Sequence, residues 1–237
     1  MSPTAPSATE NRLLAVLPTR AASRMLAAAQ AVELRLGDVL HESDERVTHV
    51  YFPTDSFISL MIPVDHNSFL EVGMVGNEGM VGASLILGVD RSPLRALVQG
   101  AGPAWCLSAR SFAAELKRSV ELRTLLQRYT QVRVGQLAQT AACTRFHLIE
   151  ARLARWLLMT QDRAHGAAFR VTHEFLAFML GVRRVGVTRA ASALQRRRLI
   201  RYHRGEVTIL DRRGMEAASC SCYQADRESY ASLLAGV

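Results

Sequence analysis

Val171 to Leu194, VTHEFLAFMLGVRRVGVTRAASAL, decides the fold. The stretch spells two short helices joined by a tight turn. Thr172 can cap the first helix, because its hydroxyl accepts a backbone N–H two or three residues on, and Glu174 adds negative charge near the positive N-terminus. Leu176 and Leu180 are four apart and share a face, with the small Ala177 beside them. Gly181 follows where the chain has to turn sharply and a left-handed residue costs least. Val182 fills the corner. The second helix turns Val187, Ala190, Ala191 and Leu194 inward and shows Arg184, Val185, Thr188, Arg189 and Ser192 on its other face. An apolar-backed helix with a cationic, hydroxyl-bearing front fits a DNA major groove. A helical hairpin with a merely solvated arginine face would share this pattern, so the flanking sequence has to separate the two.

It does so in favour of nucleic acid. Arg196, Arg197 and Arg198 extend the basic run, and RYHRGEVTIL (201–210) reads as a hairpin. Gly205 marks its turn, and Val207 and Ile209 alternate with Thr208. Two helices followed by a basic hairpin make a winged helix-turn-helix. Arg170 lies just before the capping Thr172, placed for a phosphate. Arg183 at the turn and His203 and Arg204 at the tip of the wing complete the candidate DNA-binding set.

The charge is distributed to match. The net charge is +8; residues 143–237 carry 16 arginines against 8 acids, and residues 1–142 balance to zero. A polyanion-binding module joined to a neutral module accounts for this split. With 49% hydrophobic and 21% charged residues the chain can bury a real core. The start, MSPTAPSATE, lacks the apolar stretch of a secretory signal, and no run reaches membrane-spanning length. These features lead to the expectation of a reducing cytoplasm, no membrane partner and free thiols at Cys106, Cys143, Cys220 and Cys222. Cys220 and Cys222 are the only close pair, and two ligands make no metal site unless other residues complete it. No metal is therefore assigned.

Residues 1–10 read as a loose tail, followed by two short helices broken at Pro18. From Ala31 the period becomes that of strands. Short apolar runs at 32–36, 39–40, 47–52, 57–64, 69–75, 95–99 and 104–108, separated by turn residues, argue a β-barrel, roll or sandwich. Residues 108–163 are helical. Leu122, Leu125, Leu126, Tyr129, Val132 and Gln136 recur at threes and fours along a helix expected at 119–142. This helix bridges two domains, and its stripe is assigned to a parallel dimer seam. Asp211 caps a last helix, 212–222. The expected division is 1–10 tail, 11–118 β-roll effector domain, 119–142 dimerisation helix, 143–222 winged helix-turn-helix domain and 223–237 C-terminal tail, an α+β architecture.

This order of parts resembles the CRP/FNR family, the cyclic-AMP receptor protein and its relatives, over about residues 12–222. The resemblance is carried by TRFHLIEARLARWLLMTQDR (144–163) and VTHEFLAFMLGVRRVGVTRAASALQRRRLIRYHRG (171–205), with Leu199-Ile200 before the wing. It implies a homodimeric transcription regulator bound to a pseudo-palindromic operator, with RNA polymerase as a further partner. It places Arg184 and Arg189 where family arginines approach bases or phosphates. Val185 replaces the family's glutamate, and Arg198 its glycine before Leu-Ile. Aligning MVGASLILGVDRSPLRA (80–96) puts Gly82, Ala83 and Ser84 at the family's Gly-Glu-Leu, and Arg91 and Ser92 near its Arg-Ser. Without a carboxylate at Ala83 the ribose loses its acceptor, so no cyclic nucleotide is expected in this effector pocket. The FNR-type N-terminal cysteine cluster is absent, and His41, His49 and His66 identify no haem ligand. No cofactor is identified. No P-loop, Gly-x-Ser-x-Gly or zinc-protease motif is present, and Glu71 and Glu78 have no evident catalytic partner, so an enzyme is not expected. The alternative is a sensor whose basic helical domain docks a protein instead of DNA.

Overall fold

The computed structural model describes residues 10–65, 68–164, 166 and 168–235. All of the expected tail but Glu10 lies outside the described residues, as do His66 and Asn67. Helix α1 (Arg12–Ala15) and helix α2 (Thr19–Ala27) are separated at Pro18. Buried Asn11 caps α1, accepting from the amides of Leu13 and Leu14, and its Nδ2 donates to the carbonyls of Pro53 and Gly79. One side chain thus ends a helix and pins it to the strands.

Seven strands form two antiparallel sheets. Strands β1 (Gln30–Leu34), β7 (Gly102–Ser108) and β3 (His49–Pro53) run in the order β1-β7-β3. Strands β2 (Val39–His41), β6 (Arg95–Gly100), β4 (Phe57–Asp65) and β5 (Ser68–Val75) run in the order β2-β6-β4-β5. Leu34, Ile58, Leu60, Val75, Val81, Ala96, Val98 and Ala104 fill the space between them. Gly100 pairs with Phe57 beside a register shift, and a Cβ there would lie 2.1 Å from the Phe57 ring, so the bulge requires glycine. The sheets form the expected β-roll.

Helix α3 (Ala109–Arg118) leads into helix α4 (Val120–Phe146), which Ser119 caps by accepting from Leu122 N–H. Helix α4 continues four residues past its expected end. The stripe assigned to a dimer seam is corrected by its packing. Leu122, Leu125, Leu126 and Tyr129 are at most 1% exposed within this single chain, packed with Leu13, Met25, Phe112 and Met80. Val132 packs against the same cluster, and Gln136 is buried beside Arg133, whose guanidinium donates to it at 2.7 Å. Periodicity identified a buried face but could not say which surface buries it. The outward face of α4 exposes Gln131, Val134, Leu137, Ala138 and Ala141 instead.

Helix α5 (Ile149–Ala164) begins the C-terminal half. Strand β8 (Ala168–Arg170), helix α6 (His173–Leu180), helix α7 (Arg184–Arg196), and strands β9 (Ile200–His203) and β10 (Glu206–Ile209) follow. Helix α8 (Arg212–Ala218), capped by Asp211 on Gly214 N–H, stops earlier than expected. Residues 222–235, which carry no pattern readable in the sequence, form helix α9 (Cys222–Ala235). Its Tyr223, Asp226, Tyr230 and Leu233 are buried, and the Tyr230 ring lies 6.5 Å from that of Tyr129. The chain therefore returns from the helix-turn-helix to α4.

Buried polar contacts tie α5 to the β-roll and to α9. Arg163 donates from Nε to Glu78 at 3.0 Å, and Arg155 pairs with Asp226 at 2.5 Å; all four side chains are buried. Glu71 on β5 accepts from Ser59 and, at 2.9 Å, from Trp156 Nε1 on α5. Burial pushes the Glu71 carboxyl up to about 7, against the opposing pull of these hydrogen bonds and of Arg163 and Arg155. The folded state then holds a proton that the unfolded chain releases at lower pH. This contribution is fully present below the ordinary glutamate pKa and is lost as pH rises through about 7. Glu71→Gln should therefore unfold at higher denaturant than the parent chain at pH 8, match it near pH 5, and flatten the slope between; an unchanged slope would contradict the assignment.

Candidate nucleic-acid interface

The helix-turn-helix is built as its residues dictate. Thr172 Oγ1 accepts from Phe175 N–H at 3.1 Å and opens α6. Gly181 adopts φ +61°, and a Cβ there would meet Leu70 of β5 at 2.8 Å. The turn thus needs glycine both for its backbone and for the close approach of the β-roll. Helix α7 buries Val187, Ala190, Ala191 and Leu194. Arg184, Val185, Thr188, Arg189 and Ser192 are exposed on its other face, with Arg183 just before it. Val185 is 55% exposed, an apolar side chain amid cations. Gly186 faces inward, where a Cβ would lie 2.9 Å from Ile149, so its smallness serves helix packing.

The wing lies against the start of α6. Strand β10 pairs with β9 and also with β8, so Arg170 sits opposite Glu206. Arg204 and Gly205 both take positive φ, +49° and +79°, as a tight two-residue hairpin requires. Arg170, Thr172 and Arg204 line one cleft with Trp156 and Phe57, and His203 is exposed beside them. The structure therefore gathers the recognition-helix face, the α6 cap and the wing in one module. His173 was not legible as part of it. Its ring stacks on Tyr202 at 4.4 Å, its Nδ1 lies 3.1 Å from Thr188 Oγ1, and the Tyr202 hydroxyl donates to the Val171 carbonyl at 2.7 Å. Burial and the Arg184 charge lower the His173 pKa, favouring a neutral ring. No sequence period links positions 173, 188 and 202.

Residues 151–218 match the model of the Crp-like helix-turn-helix domain. Solved structures agree over nearly the whole chain. A transcriptional regulator of the crp/fnr family from Eubacterium rectale superposes with a TM-score of 0.70 at 18% identity, covering 89% of this chain and 98% of that one. FixK2 from Bradyrhizobium japonicum gives 0.68 at 14% identity, covering 81% and 98%. The c-di-GMP-responsive regulator CLP of Xanthomonas campestris gives 0.66 at 16%, covering 82% and 100%. Residues 151–218 are thus a Crp-like helix-turn-helix domain, and the chain as a whole shares the fold of these structures. No curated protein matches its sequence.

The candidate effector residues lie around a short 3₁₀ turn, Ala83–Leu87, that Gly82 opens at φ +90°. Among the described residues, Ser84 Oγ is buried with no hydrogen-bond partner. Arg91 is exposed and donates to the Asp44 carbonyl at 2.5 Å, and Ser92 Oγ is bonded to the backbone of Leu94. Elsewhere in the chain, the sequence left Cys220 and Cys222 as a bare pair. The fold adds Cys143 and His147 from the end of α4, giving a Cys₃His cluster that could bind a metal. The clue was the four-residue step from Cys143 to His147, which places both on one side of a helix end.

At the end of α7, Arg198 takes φ +58°, the left-handed strain that a glycine would avoid. A left-handed conformation costs a non-glycine residue about 1–2 kcal/mol. Glycine also loosens the unfolded chain, so Arg198→Gly should raise unfolding free energy by at most about 1 kcal/mol in denaturant titration. A loss of stability would show that the arginine side chain contributes more than the strain costs.

Proposed function

We propose that this regulator binds DNA sequence-specifically as a homodimer, with a β-roll that does not take cyclic AMP. One observation carries the reading: the exposed Arg184-Val185-Arg189 face, backed by a buried apolar stripe and flanked by a basic wing. Arginine presents a bidentate donor pair to the O6 and N7 of guanine, and valine can pack on a thymine methyl but cannot accept from a cytosine amine. The preferred half-site should then differ from one read with a glutamate at position 185. Exposed Arg170 and Arg204 supply phosphate contacts that position the module.

The dimer seam belongs on the other side of α4 from the stripe first considered. Gln131, Val134, Ala138 and Ala141 alternate at threes and fours and are exposed, with Leu137 alongside. Small residues at such positions let two parallel helices approach closely. The effector reading is supported by the chemistry at 82–92. Ala83 offers no carboxylate to a ribose, and Arg91 and Ser92 hydrogen-bond within the chain.

Arg184→Ala and Arg189→Ala should each weaken operator binding by about 10- to 100-fold, the equivalent of about 1–3 kcal/mol, with an unchanged circular dichroism spectrum. Parent-like affinity in both would refute the assignment of this face. Val134→Asp should turn the dimer into a folded monomer in sedimentation equilibrium. Leu126→Ala, a core change, should instead cost about 2–5 kcal/mol of stability. A dimer that survives Val134→Asp would place the seam elsewhere.

A further inference from the structure

Four metal-ligating side chains meet where α4, α5 and the α8–α9 turn come together. Cys143 lies in the last turn of α4, and His147 caps that helix. Cys220 lies between α8 and α9, and Cys222 opens α9. The Cys143 and Cys220 sulfurs are 3.6 Å apart, and the Cys222 sulfur is 3.4 Å from His147 Nδ1. All four ligand atoms lie within 4.8 Å of one another. The three cysteines are buried and His147 is half-buried.

We propose that Cys143, His147, Cys220 and Cys222 hold a single Zn²⁺ ion that staples the end of α4 to the C-terminal segment. The distances favour one ion. A tetrahedral centre with Zn–S of about 2.3 Å and Zn–N of about 2.0 Å sets its ligands about 3.8 Å apart for two sulfurs and about 3.5 Å for sulfur and nitrogen. The 3.6 and 3.4 Å contacts are close to these edges. An iron–sulfur cluster would separate its ligands by the cluster's own width, and a span of 4.8 Å leaves no room for one. Three thiolates and one imidazole are a structural zinc set, and they occupy all four positions.

The surroundings suit the charge. One Zn²⁺ with three thiolates carries a net negative charge, and an N–H donor and two guanidinium groups lie around the sulfurs. Gln139 Nε2 lies 2.9 Å from Cys222 Sγ, and the Arg155 guanidinium lines a small cavity with Cys143. Arg152 lines the same small cavity as Cys143 and Arg155. Buried cysteines that served only as small apolar side chains would have no use for a histidine nitrogen and two cationic neighbours. Such outer donors orient metal ligands and stabilise thiolates. The site also sits at a mechanical junction. α9 continues from Cys222 to bury Tyr230 and Leu233 against the core beneath α4, and Asp226 pairs with Arg155 of α5. The ion would lock the long helix, the helix-turn-helix domain and the C-terminal helix in one arrangement.

Untagged full-length protein, purified with a thiol reductant, should contain about one zinc per chain by elemental mass spectrometry. After chelation, Co²⁺ should restore a single site with the visible bands of a tetrahedral thiolate complex. Zn²⁺ should protect Cys143, Cys220 and Cys222, but not Cys106, from alkylation read peptide by peptide. His147→Ala and Cys222→Ser should lose most of the zinc, and His147→Cys, which preserves a four-ligand set, should keep it. The alkylation pattern of the parent chain decides the matter even if a variant fails to fold. Absence of zinc and cobalt binding with unprotected thiols would overturn the proposal. So would iron with acid-labile sulfide, or a Cys143–Cys220 disulfide in the reduced preparation. None of these results depends on DNA binding.

Discussion

The structure depends on which sides of helix α4 are kept dry. Over 27 residues this helix supplies the floor of the β-roll core through Leu122, Leu125, Leu126 and Tyr129, then receives the returning α9 through Tyr230. Removing any of these large side chains would leave a cavity that close-packed neighbours cannot refill. Because this face is spent inside the chain, only the opposite face remains for a second copy. The same packing brings Cys143 and His147 to the α8–α9 turn. Core, proposed dimer seam and proposed metal staple are three consequences of one helix's orientation.

Beside that helix, α5 is tied to its neighbours by groups that sequence patterns do not reveal. Arg163 reaches Glu78 and Arg155 reaches Asp226, each pair buried. Buried ion pairs add little net stability, because desolvation offsets their attraction, but losing one partner strands a charge. Their consequence here is geometric: α5, which carries the recognition module, is held against both the β-roll and α9. Glu71 contributes a protonation-dependent contact at the same junction through Trp156. The DNA-facing surface is thus presented by a body whose parts are tied together below it.

How much of this was legible depended on the range of the interactions. Thr172, Gly181 and the apolar stripe of α7 act over one or two turns, and the sequence displays them directly. The seven strands of the roll were readable for the same reason, since alternation and turn residues are local. The face of α4 was readable as buried, but not what buries it: a period of 3.6 is the same whether the partner is another copy or the chain's own N-terminal helices. Helix α9 was missed because, among its described side chains, only Cys222, Tyr223, Asp226, Tyr230 and Leu233 are buried, and one of them is charged. His173, Thr188 and Tyr202 meet only in the folded domain, as do Cys143 and Cys220, 77 residues apart.

The central claim is that the exposed face of α7 reads DNA. The most direct measurement is selection of bound duplexes from a random pool by the full-length protein, with the winning sequence titrated across salt concentrations. The account predicts a two-fold symmetric consensus with half-sites one helical turn apart (~34 Å), and affinity that falls steeply as salt rises. Enrichment of no sequence, or binding indifferent to salt, would contradict it and leave the basic face as a surface for a protein partner.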